Sequence, residues 1–257
     1  MKERIILRKF DIIRKTSILT AAFAISVFAN EPPDAPEPDL NLGFDVLYGG
    51  YKIGEIDITR SQPFQYEDHT SRELECRIES SVLIDHRGLY RSIVDDQYTV
   101  AYLLADNTTA GKRRIDEYRF DYDKGKIRIK TEFPQRGESS STEKDFSRAD
   151  KTYFDSISLI FRLSEALDTL KAPLYVPVFV YSRSDSILIR SINAEDVAGP
   201  DGKSIAAKHV SGYIPFNTFP GVGREFEIYI SDDDERIPLR AEIQMALGRV
   251  EIIPRPR

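Results

Sequence analysis

Apolar and polar residues alternate along most of the chain beyond residue 43. Successive residues of a β-strand point to opposite faces, so a period of two predicts strands with one buried side. Residues 126–133 are the clearest case, because Ile127 and Ile129 share one side while Lys126 and Arg128 share the other. The pattern therefore predicts antiparallel hairpins that have one solvated face.

Turn residues separate these alternating runs. Gly49-Gly50 lies between two of them, and tight hairpin turns need the positive φ angles that glycine adopts easily. Residues 72–80 form another run, in which Leu74, Cys76 and Ile78 fall on one face. We therefore expect Cys76 to be a buried structural thiol rather than a nucleophile.

One segment has a different period. Between residues 155 and 170, apolar residues recur at intervals of three and four, which is typical of an amphipathic helix. Asp155 is a suitable N-cap, and Ala172-Pro173 follows the end of the pattern. The polar residues 134–151 before this helix predict a mobile loop.

About ten predicted strands and one helix define the expected fold class. The chain is predicted to be mainly β, with an antiparallel, curved sheet or open β-barrel and one principal helix packed against it. No internal repeat or clear linker divides it, so residues 43–257 are expected to form a single β-rich domain.

The first 29 residues have a different character. A basic stretch, residues 1–15, precedes an uncharged apolar run, residues 16–29, that ends in Val27-Phe28-Ala29. This order predicts a cleaved signal peptide, because the run is shorter than the roughly 18–20 residues of a membrane span. A flexible lead rich in proline and acid, residues 30–42, is expected to follow, and the mature protein is expected in the periplasm or cell envelope of a bacterium.

Charge narrows the range of partners. Removing residues 1–29 lowers the basic residues from 36 to 30 and the acidic residues from 42 to 40, so the net charge changes from −6 to −10. So acidic a protein is a poor candidate for binding nucleic acid. No later apolar segment is long enough to span a membrane, and the single cysteine excludes an intramolecular disulfide.

Familiar catalytic motifs are absent. The sequence has no phosphate-binding loop, no G-x-S-x-G, no H-E-x-x-H and no CxxC, and its three histidines lie far apart. We therefore predict no catalytic residues, no metal and no cofactor. One enzymatic alternative stays open, in which Asp95 or Asp96 works with Asp121 or Asp123 as the carboxylate pair of a hydrolase acting on envelope carbohydrate.

The run Ser231–Pro238, which reads SDDDERIP, has four consecutive acids. A calcium loop would need a glycine break and a later glutamate, and no glycine follows here. The run lies between two alternating segments, so we interpret it as the polar tip of a hairpin, with Pro238 at the start of a strand.

Aromatic residues are the remaining functional hint. A curved sheet with an aromatic concave face could hold an apolar ligand, or the same rings could pack against the helix. The candidate ligand-binding residues are Tyr98, Tyr102, Tyr118, Phe120 and Tyr122.

Three stretches together resemble a family of exported bacterial proteins known as domain of unknown function 3108. They are Phe44–Glu55, Asp155–Arg162 and Tyr229–Val250, and their spacing extends the resemblance over about residues 43–253. The resemblance implies an exported, mostly β protein; no activity is established for the family, so no catalytic residue is carried over. A more distant likeness of architecture is to periplasmic lipoprotein-carrier domains, half-open barrels plugged by helices.

We therefore expect an exported envelope protein that is a binding domain rather than an enzyme. Its expected partner is an apolar or lipid-like small molecule or an envelope protein. Besides the hydrolase, a structural scaffold of the cell envelope remains an alternative.

Overall fold

Fifteen strands form one antiparallel sheet in the computed structural model, which describes residues 36–81, 85–146, 152–180, 183–198, 203–214, 222–245 and 248–255. Within those residues the secondary structure also includes one α-helix, α1 (Ser156–Ala166), and a single 3₁₀ turn (Pro134–Arg136). The strands are β1 (Pro38–Tyr48), β2 (Tyr51–Ser61), β3 (Phe64–Tyr66), β4 (His69–Ser80), β5 (His86–Val94), β6 (Val100–Thr109), β7 (Lys112–Asp121), β8 (Lys126–Phe133), β9 (Glu138–Asp145), β10 (Leu174–Val180), β11 (Arg183–Ala198), β12 (Ser204–Tyr213), β13 (Val222–Ser231), β14 (Pro238–Met245) and β15 (Gly248–Pro254).

Strands β15 and β1 pair in the middle of the sheet, and the other strands extend from them in both directions. Its order is β10-β11-β12-β13-β14-β15-β1-β2-β4-β5-β6-β7-β8-β9, with β3 paired to β4 only. The last strand returns to the first, since β15 pairs with β1 from Phe44↔Pro254 to Tyr48↔Val250. Strands β9 and β10 are the two edges and do not pair with each other in the described part of the chain. The prediction of a curved, open antiparallel sheet with one helix is confirmed.

A short segment before α1 links distant parts of the sheet. The amide of Val100, at the start of β6, donates to the carbonyl of Tyr153 at 3.1 Å. Phe154 then forms an isolated parallel bridge with Val178 of β10, and the amide of Phe179 donates to the Phe154 carbonyl at 2.8 Å. Edge strand β10 is therefore held by the chain that leads into the helix.

The helix packs on the core-facing side of the sheet. Residues directly opposite each other in antiparallel strands share a face. The row Leu42↔Ile58↔Cys76 identifies the core-facing side in the amino-terminal half, since all three are buried. The apolar side of α1 joins the same cluster through Ile157, Leu159, Phe161 and Leu163. Cys76 is 4% exposed, as the strand pattern predicts, and burial raises its pKa to about 12.

The amino-terminal end of α1 is fixed by a buried carboxylate. Asp155 Oδ1 accepts hydrogen bonds from the amides of Ile157 and Ser158 at 2.7 and 2.8 Å. The hydroxyl of Ser158 accepts from the Asp155 amide at 2.9 Å, which completes a capping box. Asp155 Oδ2 accepts from the hydroxyl of Ser92 on β5. The predicted N-cap is confirmed, and it also ties the helix to the sheet.

The helix is shorter than predicted. The apolar period continues to Leu170, but α1 ends at Ala166 and residues 167–169 form turns. The amides of Thr169 and Leu170 both donate to the Ala166 carbonyl, at 2.9 and 3.0 Å. These bonds satisfy a terminal carbonyl of the helix and turn the chain towards β10.

The predicted loop 134–151 is wrong for residues 138–145. Glu138–Asp145 is strand β9, paired with β8 from Lys126↔Asp145 to Phe133↔Glu138. All eight residues of β9 are exposed, so the strand buries no side chain and its sequence carries no apolar alternation. A polar edge strand of this kind is held by backbone hydrogen bonds, which composition does not reveal. Residues 147–151 lie outside the described residues.

The predicted lead 30–42 also ends too late, because β1 already starts at Pro38. Pro38 has no amide hydrogen to donate to a neighbouring strand. The first residue of a strand tolerates this loss, whereas a central residue does not. Leu42 is 7% exposed and belongs to the core. The predicted signal peptide, residues 1–29, and the lead residues 30–35 lie outside the described residues.

Candidate functional site

An open groove of about 580 Å³ lies at the carboxy-terminal end of α1. Its volume falls in the range of roughly 300–1,000 Å³ that is usual for small-molecule sites. We call it the helix-end groove. It is lined by Leu167, Asp168, Leu170, Lys171, Ala172, Arg190, Ser191, Ile192, Asn193, Ala194 and Lys208.

The sheet side of the groove belongs to the core-facing side of β11 and β12. Ile192 lies opposite Val210, which is fully buried. Ala194 lies opposite Lys208, and Lys208 lies opposite Ile230, which is also fully buried. Both rows therefore turn towards the interior. A register shift between Ile189 and Ser191 marks the place where β11 bends beside the groove.

The helix side of the groove contains three apolar residues beside the charged Asp168 and Lys171. Leu167 is 4% exposed, whereas Leu170 and Ala172 are half-buried and pack against the main core. Together with Ile192 they give the groove an apolar surface continuous with the hydrophobic core. Such continuity allows a bound apolar chain to lie against packed side chains rather than water.

Charged residues stand around this apolar surface. Lys171, Arg190 and Lys208 line the groove together with one acid, Asp168. Lys208 Nζ lies 3.0 Å from Asp232 Oδ2, and Arg190 donates to Glu225 at 2.8 Å. The guanidinium of Arg190 also lies 5.1 Å from the centre of the Tyr213 ring, on the opposite face of the sheet. The charged side chains that face the groove are therefore Lys171, Lys208 and Asp168.

The acidic run Ser231–Pro238 lies beside this groove. Residues 232–237 connect β13 to β14, and Pro238 starts β14, so the predicted hairpin tip is confirmed. Arg236 donates to Asp232 at 3.0 Å and to Asp168 at 2.6 Å. The hairpin tip is therefore linked to the groove twice. Arg236 contacts Asp168, and Asp232 contacts Lys208.

Asp233 organises the hairpin tip itself. Its Oδ1 accepts from the hydroxyl of Ser231 at 2.7 Å and from the amides of Glu235 and Arg236, both at 3.1 Å. The Ser231 hydrogen bond is the main reason that the pKa of Asp233 is lowered, and the two amides add to it. The acids thus serve the turn and its ion pairs.

The five predicted aromatic residues do not form one surface. Tyr98 and Tyr118 are 2% and 3% exposed and belong to the main core. Tyr98 stacks on Phe161 of α1 with a centroid separation of 5.7 Å, and its hydroxyl donates to Glu165 at 2.7 Å. Burial raises the pKa of Tyr98 to about 12. These contacts fix the helix against the sheet.

Phe120 and Tyr122 lie among other rings on the core-facing side. Phe120 stands 5.2 Å from Phe179 in an edge-on arrangement, and Tyr122 stands 5.1 Å from Phe146. The hydroxyl of Tyr122 donates to the carbonyl of Val100 at 2.8 Å. These rings pack against one another between the end of β7, the end of β9 and edge strand β10.

Tyr102 lies in a different cluster. It is 5% exposed and packs with Tyr66 and Ile93, apart from the main core. Arg119 lies over its ring at 5.4 Å. A register shift between β5 and β6, where Val94 pairs with Val100 but Ile93 pairs with Tyr102, adds one residue to β6 and places Tyr102 on the side opposite the main core.

The four acids of the hydrolase alternative occupy two turns. Asp95 Oδ1 accepts from the amides of Gln97 and Thr99 at 2.9 and 2.8 Å. Asp121 accepts from the amide and the ammonium of Lys124, and its pKa is lowered chiefly by that ammonium. Asp96 and Asp123 are exposed. Asp95 and Asp121 therefore each stabilise the turn that contains them.

The histidines lie on three strands, β4, β5 and β12. His209 stacks on Tyr229 at 4.6 Å and lies 3.1 Å from Glu195. Among the described residues, no group of three or more histidine, cysteine, aspartate or glutamate side chains could hold a metal ion.

Comparison with known families decides the membership of this chain. The model of the family described as "Protein of unknown function (DUF3108)" matches residues 44–253. The chain belongs to the DUF3108 family. A comparison with curated proteins gives no match.

A solved structure supports the architecture of the DUF3108 chain. This chain is similar to the crystal structure of a β-barrel-like protein of the domain of unknown function DUF1849 from Brucella abortus, with a TM-score of 0.53 and 7% identity. The similarity covers 86% of this chain and 98% of the other. At this identity the likeness shows the fold alone.

Sequence reasoning missed the helix-end groove of this DUF3108 chain. Its lining comes from residues 167–172, 190–194 and 208, which no local motif connects. The one available signal was an apolar period that continues to Leu170, past the end of α1. Apolar side chains beyond a helix end are more stable when they are shielded from water, and here Leu170 packs against the core and lines the groove.

Proposed function

We propose that this protein is an exported binding domain of the bacterial cell envelope, and that its ligand is a small molecule with an apolar portion held in the helix-end groove. The observation that carries the proposal is the groove itself, whose volume of about 580 Å³ is bordered by Leu167, Leu170, Ala172 and Ile192. An apolar surface that continues a hydrophobic core favours ligands which also avoid water.

Binding is favoured over catalysis by the roles of the acids. Asp95 and Asp121 accept hydrogen bonds within their own turns, and Asp233 does the same at the hairpin tip. A carboxylate pair for hydrolysis has to face one substrate bond across a cleft. In the helix-end groove, Asp168 is the only acid among the lining residues.

Native mass spectrometry would test the proposal. The protein purified from its own envelope in mild detergent is expected to carry a small molecule that is released on denaturation. Replacing Ile192 by Gln places an amide on the apolar surface and is expected to remove that molecule while the protein stays folded.

The matched control is Ile53→Gln. Ile53 is half-buried and lines a smaller hollow of about 270 Å³ formed with Glu79–Ser81 and Asp85–Arg87. This variant is expected to retain the molecule. Loss of the molecule from Ile53→Gln alone, or purification without any molecule in repeated preparations, would refute the assignment to the helix-end groove.

The export part of the proposal has its own test. Residues 1–29 have the order of a signal peptide, and no helix among the described residues is long and apolar enough to cross a membrane. Amino-terminal sequencing of protein from the envelope fraction is expected to begin at Asn30. A mature protein that begins at Met1 would contradict cleavage.

A further inference from the structure

The charges of the helix-end groove identify the class of ligand more closely. We propose that the groove binds an anionic amphiphile, in which an acidic head group meets Lys171 and Lys208 and an apolar chain lies along Leu170 and Ile192. This inference rests on the proposed function of the groove and adds the chemistry of the head group.

The first argument is the local excess of positive charge. Two lysine side chains, Lys171 and Lys208, and one acidic side chain, Asp168, face the groove. In the whole sequence the balance is the reverse, with 42 acidic residues against 36 basic ones. A locally basic groove favours an anionic ligand over a neutral one of the same shape.

The second argument is that the lysines at the groove have hydrogen-bond donors that ion pairs do not use. A lysine ammonium has three donors and an arginine guanidinium has five. Lys208 is paired with Asp232, and Arg190 with Glu225, each through one short contact. Lys208 therefore keeps donors for a ligand, and the side chain of Lys171 is exposed at the same groove. The guanidinium of Arg190 instead lies over Tyr213 on the opposite face of the sheet.

The third argument is the position of the acids. Asp232 is not among the lining residues, so it pairs with Lys208 from outside the groove. Asp168 does line the groove, but it is paired with Arg236 at 2.6 Å. That ion pair offsets the one negative charge that an acidic ligand would meet.

The orientation of the ligand follows from the helix. The carboxy-terminal end of α1 carries partial negative charge, which disfavours an anion placed directly on its axis. The head group is therefore expected at Lys208, on the side of the sheet and within reach of the flexible Lys171 side chain, and the apolar chain beside Leu170 and Ile192.

A matched pair of probes tests the head group. Dodecanoate and dodecanol have the same apolar chain, and isothermal titration of the mature protein with each compares a carboxylate with a hydroxyl. Dodecanoate is expected to bind about ten-fold more tightly, because charge-assisted hydrogen bonds are stronger than neutral ones. Its affinity is also expected to fall as salt is added, while that of dodecanol is not.

Two variants locate the effect. Lys208→Met keeps most of the side-chain stem and is expected to reduce the preference for dodecanoate about ten-fold without weakening dodecanol. Lys124→Met is the control, because Lys124 lies in the turn between β7 and β8 and pairs with Asp121. It is expected to leave both affinities unchanged.

The outcomes separate the two proposals. Equal affinity for the two probes, lost in Ile192→Gln, would overturn the anionic head group and leave the apolar groove in place. No binding of either probe would overturn both. A preference for dodecanoate that survives Lys208→Met and Lys171→Met together would place the head group elsewhere and would overturn this inference.

Discussion

The two ends of α1 differ in almost every physical respect. At the amino-terminal end, Asp155 is 5% exposed and Ser92, its partner on β5, is fully buried. At the carboxy-terminal end, the side chain of Asp168 is 63% exposed and its partner Arg236 belongs to the tip of a hairpin. One end is dry and hydrogen-bonded, and the other opens into the helix-end groove.

This difference shows how one helix can have two roles. A buried polar group must find partners within the protein, because an unpaired one costs about 1–3 kcal/mol. The hydrogen bonds of Asp155 therefore fix where the helix starts. The exposed end has no such requirement, so residues 167–172 are available to line a groove.

The largest test of this contrast compares two leucines. Leu159 is 5% exposed on the buried side of α1, and Leu159→Ala is expected to lower the free energy of unfolding by about 2–5 kcal/mol. Leu170 is half-buried at the groove, so Leu170→Ala is expected to cost less than about 1 kcal/mol while weakening ligand binding. Urea unfolding measures both, and equal losses would show that the groove end is as tightly packed as the rest.

The stable end of the helix was predictable from sequence, and the open end was not. Asp155 precedes an apolar run of period three to four, so local rules identify the cap. The pairing of Asp168 with Arg236 joins residues 68 positions apart, and only the folded sheet brings them together.

The same division applies to the strands. The two-residue period of residues 126–133 and the Gly49-Gly50 turn follow from local geometry, and both are confirmed. Strand β9 is exposed at all eight residues and leaves no such trace. The five aromatic residues were recognisable as a group, but their separation into two clusters depends on a register shift in β6.

A second test exchanges carboxylates at the two ends. Asp155→Ala removes the cap and leaves the hydroxyl of Ser92 without its acceptor, so we expect a loss of about 2–3 kcal/mol. Asp168→Ala breaks an exposed ion pair and is expected to change stability by less than about 0.5 kcal/mol. Chemical unfolding of both variants gives the comparison, and a small effect of Asp155→Ala would mean that water replaces the carboxylate at this helix end.

The pH dependence of stability should also have opposite signs at the two places. Burial raises the pKa of Asp155 above its ordinary value of 3.8, so the folded state binds this proton more tightly than the unfolded state. The contribution of Asp155 to stability therefore falls as the pH rises from about 3.8 through the raised value. At the hairpin tip, hydrogen bonds lower the pKa of Asp233, so its contribution is present above about 3.8 and is lost as the pH falls through the lowered value.

Asparagine variants isolate these contributions. The stability of the wild type relative to Asp155→Asn is expected to decrease with rising pH, and that relative to Asp233→Asn is expected to increase. Urea unfolding at a series of values from about pH 2 to pH 7 covers both ranges. Two curves with the same sign would remove the electrostatic difference between the buried helix end and the hairpin tip.

The smallest expected effect is at Arg236, where two contributions oppose each other. Arg236 has a φ of 50°, a left-handed conformation that favours glycine, so Arg236→Gly relieves backbone strain. The same change removes the ion pairs with Asp168 and Asp232, which are partly exposed and contribute little. The free energy of unfolding should therefore change by no more than about 0.5 kcal/mol, whereas Arg236→Ala, which keeps the strain and loses the pairs, should be the less stable of the two. If Arg236→Gly were instead strongly destabilised, the ion pairs at the open end of α1 would matter to the fold as much as the buried hydrogen bonds of Asp155 do.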